Sequence, residues 1–401
     1  MRLVPCLLLS IGLIGCAPPS LTELPLEPPP PETEDLLIVY ALGDGELSPH
    51  LHHSTELFLS AEELPAGVEL LLFREIDGDR ELWSRSQESE RELSSEEVGL
   101  SPSAGGEEET LRSFLSFARQ SYPEAAAHLL VSGSSGFDEE LSVARTDSGG
   151  LEIGELARAA GGMEEPWLTS ISLESSYGAS MSVLYELRRS ARYLLASPGP
   201  VELRGLSVEN FFAHLEGGES VESSLLRSLE ESHRAIPAAS FALFDLSRVE
   251  KLAGALEETL LPLEEELIGV TAERVELREL LFEQNPYDRG AGPLFLPVST
   301  LAAKLAAHAP ELPTQLIQEE VQRLPVESWS EEGGPVSPTL YFVSLDEEGT
   351  PAGHAGCFLP ERPGGEAVAF ARSTVWAPRL IEGRGILYFL WYDLLPPGGA
   401  S

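Results

Sequence analysis

The chain has 401 residues, enough for one large domain or two, and 42% of them are hydrophobic, an ordinary share for a globular protein. Its formal charge of −40 is not ordinary: Lys251 and Lys304 are the only lysines, and arginine supplies the rest of the positive charge. So acidic a surface repels nucleic acid and anionic lipid headgroups, which excludes nucleic acid as a partner and leaves solubility, adaptation to salt, or attraction of basic substrates and partners.

Arg2 is followed by an apolar run, Leu7–Ile14, too short to span a bilayer, which ends in small residues before Cys16. Leu13-Ile14-Gly15-Cys16 resembles the lipobox of bacterial lipoproteins. The resemblance implies a signal peptide over 1–15, acylation of Cys16 and a lipid bilayer as partner at the cell envelope. Ala17 stands where inner-membrane retention needs Asp, so the outer membrane is expected over the inner one in a Gram-negative cell. Residues 16–35, with Pro18, Pro19, Pro25 and Pro28–Pro31, read as an extended tether. Cys6 leaves with the signal and Cys16 is lipidated, so Cys357 remains alone and no intramolecular disulfide forms. Cys357 lies in an apolar run with no basic neighbour and is expected as a small buried hydrophobe.

Leu36–Tyr40 is a continuous apolar run before Gly43-Asp44-Gly45, the pattern of a central strand buried on both faces. His50 and His53 share a helical face, which suits a metal, but no second ligand cluster lies nearby; neither a metal nor any other cofactor is expected. Val68–Phe73 reads as a strand and Arg74–Trp83 as a hairpin turning at Asp77-Gly78. Ser84–Thr110 is Glu- and Ser-rich and reads as a solvated or partly disordered excursion. Leu111–Tyr122 is a helix with Leu111, Phe114, Leu115 and Ala118 on one face, followed by a His128–Val131 strand and a Ser132–Phe137 loop.

Ser170–Leu173 is a short strand, Glu174–Gly178 a turn, and Met181, Leu184, Tyr185 and Arg188 recur at helical spacing; the helix is expected to continue from Arg188 to Ala196. A sharp strand-to-helix turn is where α/β enzymes mount a nucleophile, making Ser175 or Ser176 the candidate. Beyond Pro200, Ser240–Asp245 is a strand. A helix capped by Ser247, with Glu250 three residues on, runs to about Leu267 with an interruption near Pro262. Val298–His308 is a helix, and Thr339–Leu345, Ala355–Leu359 and Ile386–Leu395 are strands.

Several of these stretches together resemble the clostripain-like cysteine peptidases (family C11). Val39-Tyr40…Asp44…Leu47-Ser48-Pro49 matches the first-strand pattern of that family, with Gly45 for its usual Asn. Tyr122-Pro123 leads into the strand before its catalytic histidine, Tyr185-Glu186-Leu187-Arg188 closes its nucleophile helix, and Ala369–Trp376 is similar to its closing segment. The resemblance runs over about residues 36–382. It implies an α/β, caspase-like, mostly parallel sheet flanked by helices: a core at 36–235 and a C-terminal α+β extension at 236–401. Aligned on Tyr185–Arg188, Ser176 falls on the family's cysteine and Glu174 on the aspartate implicated in binding a basic side chain. The family's histidine falls on Ser134, or on Gly133 if the match shifts by one. His128 lies too early to replace it.

Thiolate attack needs both a cysteine and a base, and both positions are changed. Residues acting as one catalytic unit lose their value jointly. The expectation is therefore a catalytically inactive, membrane-anchored lipoprotein whose clostripain-like scaffold binds a basic peptide or protein, with Glu174 as the contact. Two alternatives stay open. One is an Arg- or Lys-preferring hydrolase in which Ser176 works with a relocated histidine such as His53, His233 or His354; the other is a structural envelope lipoprotein.

Overall fold

The computed structural model describes residues 33–342 except 62–63, 101–105, 134–141, 147–148, 162–164, 177, 200, 202–205, 235, 237–238, 268–293 and 331–335. These belong to a unit, Thr33–Ser401, that groups apart from Met1–Glu32. Cys16, the proline-rich tether, Ser134, His354, Cys357 and the stretches at 355–359, 367–382 and 386–395 lie outside the described residues.

The strands are β1 (Asp35–Gly43), β2 (Val68–Ile76), β3 (Asp79–Arg85), β4 (Glu90–Glu92), β5 (Ala126–Gly133), β6 (Ser142–Thr146), β7 (Gly149–Glu152), β8 (Leu168–Glu174), β9 (Ala191–Ala196), β10 (Ser240–Asp245), β11 (Leu294–Pro297), β12 (Pro325–Ser330) and β13 (Thr339–Phe342). The helices are α1 (Ser48–Ser60), α2 (Ser95–Val98), α3 (Glu107–Ser121), α4 (Ile153–Ala160), α5 (Met181–Leu187), α6 (Val208–Glu216), α7 (Val221–His233), α8 (Val249–Leu267), α9 (Val298–His308) and α10 (Thr314–Arg323). A nine-stranded sheet runs β12-β10-β9-β8-β5-β1-β2-β3-β4. Its centre, β9 to β2, is parallel, and its flanks are antiparallel. β6 pairs with β7 and β11 with β13 in two small separate sheets.

The two faces of the sheet carry two cores. Leu36, Ile38 and Tyr40 of β1 with Leu129 and Val131 of β5 join the layer that includes α3, α4, α5, α8, α9 and α10. Leu37 and Val39, Leu70 and Leu72, Leu130 and Leu195 join Phe58 of α1, Phe211 of α6 and Leu225 of α7 on the other. The result is a mixed α/β fold with helices over both faces of a large sheet. Central parallel strands covered on both sides read as nearly continuous apolar runs, as Leu36–Leu42 of β1 and Leu70–Phe73 of β2 do. The hairpin joins β2 to β3 through Asp77 and Gly78, whose φ values of 53° and 83° form the positive-φ pair of a tight two-residue turn.

Four expectations are corrected. The helix after the Glu174–Gly178 turn ends at Leu187, and Ala191–Ala196 is a strand. The break is a turn in which the Ser190 amide donates to the Leu187 carbonyl (2.8 Å) and the Arg188 side chain folds over the Tyr185 ring (3.8 Å) and onto Glu250 (3.0 Å). Leu194 and Leu195 are buried in opposite cores, which a strand between two layers permits and a surface helix does not. The acidic 84–110 stretch is partly regular: β4 adds to the sheet edge, and α2 starts on a Ser94–Glu97 capping box. Finally, Ser247 does not cap α8: its amide and hydroxyl both donate to Asp245 Oδ1 (3.0 and 2.6 Å), which starts a single 3-10 turn ahead of the helix. α8 itself passes through Pro262 without a break.

Candidate functional site

Along β8 the residues Ser170, Ser172 and Glu174 share one face, because side chains alternate, while Ile171 and Leu173 enter the opposite core. Pairing with β5 sets His128 beside Ser170, Leu130 beside Ser172 and Ser132 beside Glu174. A polar strip thus crosses an otherwise apolar layer, with opposite chemistry at its two ends. At the N-terminal edge His128, 2% exposed, contacts Ser170 Oγ (2.9 Å) through Nδ1 and Asp35 (3.3 Å) through Nε2. His128 is therefore a structural imidazole at the end of the sheet opposite the strand-to-helix turn.

The C-terminal edge holds the cleft. β1 leads outward to β2 on one side, and the chain then crosses to β5 on the other, so the strand order reverses between β1 and β5. In open parallel sheets, ligands bind outside the carboxyl ends of strands at such a reversal. Here a small cleft opens between the ends of β5 (Ser132, Gly133) and β8 (Glu174), His50, Leu51 and Ser54 of α1, Leu229 and His233 of α7, and Val201. Its empty space is about 450 Å³, part of it open solvent, enough to admit the tip of one side chain.

α1 is aimed at the cleft by Asp77. Its Oδ1 accepts from the Ser48 hydroxyl (2.6 Å) and the Gly45 amide (3.0 Å), and its own amide donates to the Gly43 carbonyl (3.1 Å). The Ser48 and Gly45 bonds hold the Asp77 carboxyl below its usual range, and together the three tie the first turn of α1 to the β2–β3 hairpin. The sequence marks Asp77 only as a turn residue. His50 lines the cleft; His53, one turn on, is exposed and does not. Among the described residues no three His, Cys, Asp or Glu side chains are grouped to hold a metal.

Glu174 is 8% exposed. Ser132 Oγ donates to its Oε2. Its Oε1 is buried with no hydrogen-bond partner among the described residues. Burial pushes the Glu174 carboxyl up to about 7, and the Leu206 backbone amide opposes the rise without satisfying Oε1. A buried carboxylate with one oxygen unpartnered and no cation beside it among the described residues is expensive, so the group sits close to the balance between acid and anion at neutral pH.

The two serines of the turn do different work. Ser175 is 4% exposed, close against Gly178. Ser176 Oγ donates to the Val201 carbonyl (3.2 Å) and accepts from the Val201 amide (2.9 Å), clasping the turn to the segment after β9. Its hydroxyl is occupied on both sides, and no imidazole is among its partners in the described residues. His233 Nδ1 donates to the Leu229 carbonyl (2.9 Å) and its ring packs edge-on against Phe241 (5.0 Å). The structure therefore brings Glu174, His50 and His233 together, and leaves Ser176 and His53 out. Gly133 cannot carry any side chain: a Cβ there would lie 2.6 Å from the Leu42 carbonyl and 2.7 Å from Ala144 Cβ. From Ser134 to Leu141 the sequence contains no histidine.

No protein-family model matches the sequence, and no curated protein matches it either. Solved structures do. The fold is similar to that of an inactive zymogen C11 protease from Parabacteroides distasonis, with a TM-score of 0.56 at 15% identity over 91% of this chain and 99% of that one. It is also similar to the secreted C11 cysteine protease iotapain from Bacteroides thetaiotaomicron (TM-score 0.58, 13% identity, 90% and 99% coverage). A secreted C11 cysteine protease from the same organism, in complex with an irreversible peptide inhibitor, gives 0.55 at 14% identity over 86% and 97%. At this identity the likeness establishes the fold: the chain has the α/β architecture of the C11 clostripain-like proteases along nearly their whole length.

Proposed function

We propose that this chain is a lipid-anchored envelope protein with a C11-type fold that no longer performs thiol hydrolysis and instead binds a basic side chain of a peptide or protein at Glu174. The observation that carries this reading is the state of the turn after β8. Ser176, on the position of the family's cysteine, spends its hydroxyl on the Val201 backbone, while Glu174 two residues earlier faces the cleft with an unpartnered oxygen. A serine hydroxyl is a weak nucleophile that needs a placed base, and its partners here are backbone groups. The absence of histidine from Ser134 to Leu141 supports the same reading. The anchor rests on the lipobox ending at Cys16, and the acidic surface suits basic partners.

The test is hydrolysis of arginyl and lysyl peptide amides by the mature protein and by Ser176→Ala. No turnover above buffer is expected from either. Ser176→Ala should instead lose about 1–3 kcal/mol of stability, because it leaves the Val201 carbonyl and amide unpaired. Turnover that the substitution abolishes would establish a hydrolase. Incorporation of a fatty-acid analogue in cells, lost in Cys16→Ala, tests the anchor.

A further inference from the structure

We propose that the cleft exchanges a proton for a cation: Glu174 carries a proton on Oε1 while the cleft is empty, and a guanidinium or ammonium group entering the cleft takes its place. This rests on the binding reading above and adds a regulation to it. Ser132 holds Oε2, so Oε1 is the oxygen left for a ligand. Among the described residues, those lining the cleft around the carboxyl include no arginine or lysine: β5 gives Ser132 and Gly133, α1 gives His50 and Ser54, and α7 gives Leu229 and His233. With burial this deep and Oε1 without a partner, an empty cleft favours the neutral acid, in line with the upward shift of the carboxyl. A ligand cation supplies the missing counter-charge and favours the anion. The step balances simply: the neutral acid plus the cation gives the carboxylate–cation pair, and one proton passes to solvent. Binding thus strengthens as pH rises through neutrality, and an acidic medium empties the cleft.

Ser132 is a positioning residue here. Its hydroxyl stabilises the anion, so Ser132→Ala should move the titration to higher pH while leaving the affinity at high pH within about threefold.

The experiment has two arms on the full mature protein. In the first, the carboxyl carbons of glutamate are labelled with ¹³C and titrated without ligand; the signal missing in Glu174→Gln is Glu174. Its midpoint should lie near 7 and fall by about two units or more with saturating acetyl-arginine amide. In the second, calorimetry with that amide in pairs of buffers of different ionisation enthalpy, phosphate and bis-Tris at pH 6 and phosphate and Tris at pH 8, counts protons. About one should be released per ligand at pH 6 and almost none at pH 8, with Kd about tenfold tighter at pH 8. The slope should persist in His50→Gln and His233→Gln. The citrulline amide, neutral and of the same shape, should bind much more weakly. A Glu174 midpoint in the ordinary carboxylate range, binding without proton release, or equal binding of citrulline overturns the exchange. Binding of arginine without proton release leaves the binding reading standing, whereas no binding at any pH overturns both.

Discussion

A single residue, Glu174, sets the character of the cleft, and its environment makes it a pH-dependent cost to the fold. Below about pH 4.5 the carboxyl is protonated in the folded and the unfolded chain alike, and burial costs no charge. Above that pH the unfolded chain ionises freely, while the folded chain holds its proton until about pH 7. The folded pKa is raised, so the stabilising contribution is complete below the unfolded value and is lost as pH rises through the folded one. A shift from 4.5 to about 7 corresponds to about 3 kcal/mol over that window. Glu174→Gln removes the ionisation and keeps the Ser132 bond. The stability of the wild type relative to this variant should therefore fall by about 3 kcal/mol between pH 4.5 and 8 in urea unfolding. Parallel curves would mean that Glu174 is not desolvated. The sequence made Glu174 visible through its place in a Ser-Ile-Ser-Leu-Glu alternation and through the family resemblance. Ser132, His50 and His233 were not legible as its neighbours, because they come from β5, α1 and α7, and only the register of β5 on β8 and the lie of two helices bring them to one place.

At the level of elements, the parts that read well were those with one dominant local signal. β1 holds the apolar run Leu36–Leu42 and β2 the run Leu70–Phe73, α9 matches its expected bounds, and Asp77-Gly78 turns a hairpin. Ala191–Ala196 read wrongly because Leu194 and Leu195 fit a helical stripe as readily as a strand, and only insertion between β8 and β10 decides. α6, α7 and α10 went unread, although each is amphipathic, because polar residues dilute the apolar stripes of two, serine and glutamate in α7 and glutamine and glutamate in α10, and α6 is only nine residues long. Arg85 was not legible at all. From the end of β3 it reaches the C-terminus of α1, where Nη1 donates to the Phe58 carbonyl (2.8 Å) and Nη2 to the Ala61 carbonyl. α1 has no basic residue in its last turn, so Arg85 supplies from across the sheet the charge that the helix end favours. Its side chain is 8% exposed, which removes most of the screening by water. Arg85→Met keeps the apolar stem and loses both bonds. It should cost about 2–3 kcal/mol, and amide exchange should accelerate first in the last turn of α1. Uniform acceleration over the whole sheet would place the role of Arg85 elsewhere.

For the whole molecule, the question is which of two electrostatic effects of added salt prevails. The chain carries 66 acidic and 26 basic residues, and many arginines are committed to local pairs. Arg74 meets Glu56 and Glu81, Arg80 meets Glu75, and Arg91 meets Glu97, at 2.5–2.7 Å. Salt weakens such pairs, but exposed ones contribute only about 0–1 kcal/mol each. It also screens the repulsion among the remaining carboxylates, an excess of 40 charges spread over one molecule. Because the Debye length falls from about 30 Å at 0.01 M to about 10 Å at 0.1 M, repulsion across the molecule is removed before contacts at 3 Å are affected. Repulsion should dominate, and Tm should rise as NaCl goes from 0.01 to 0.5 M at pH 7.5. The gain should shrink at pH 5, where more of the carboxylates are protonated. The same field draws cations toward the cleft, so the association rate of a basic peptide should fall over the same salt range while its dissociation rate changes little. A Tm that drops with salt would mean that the arginine pairs, rather than the acidic excess, govern the stability of this fold.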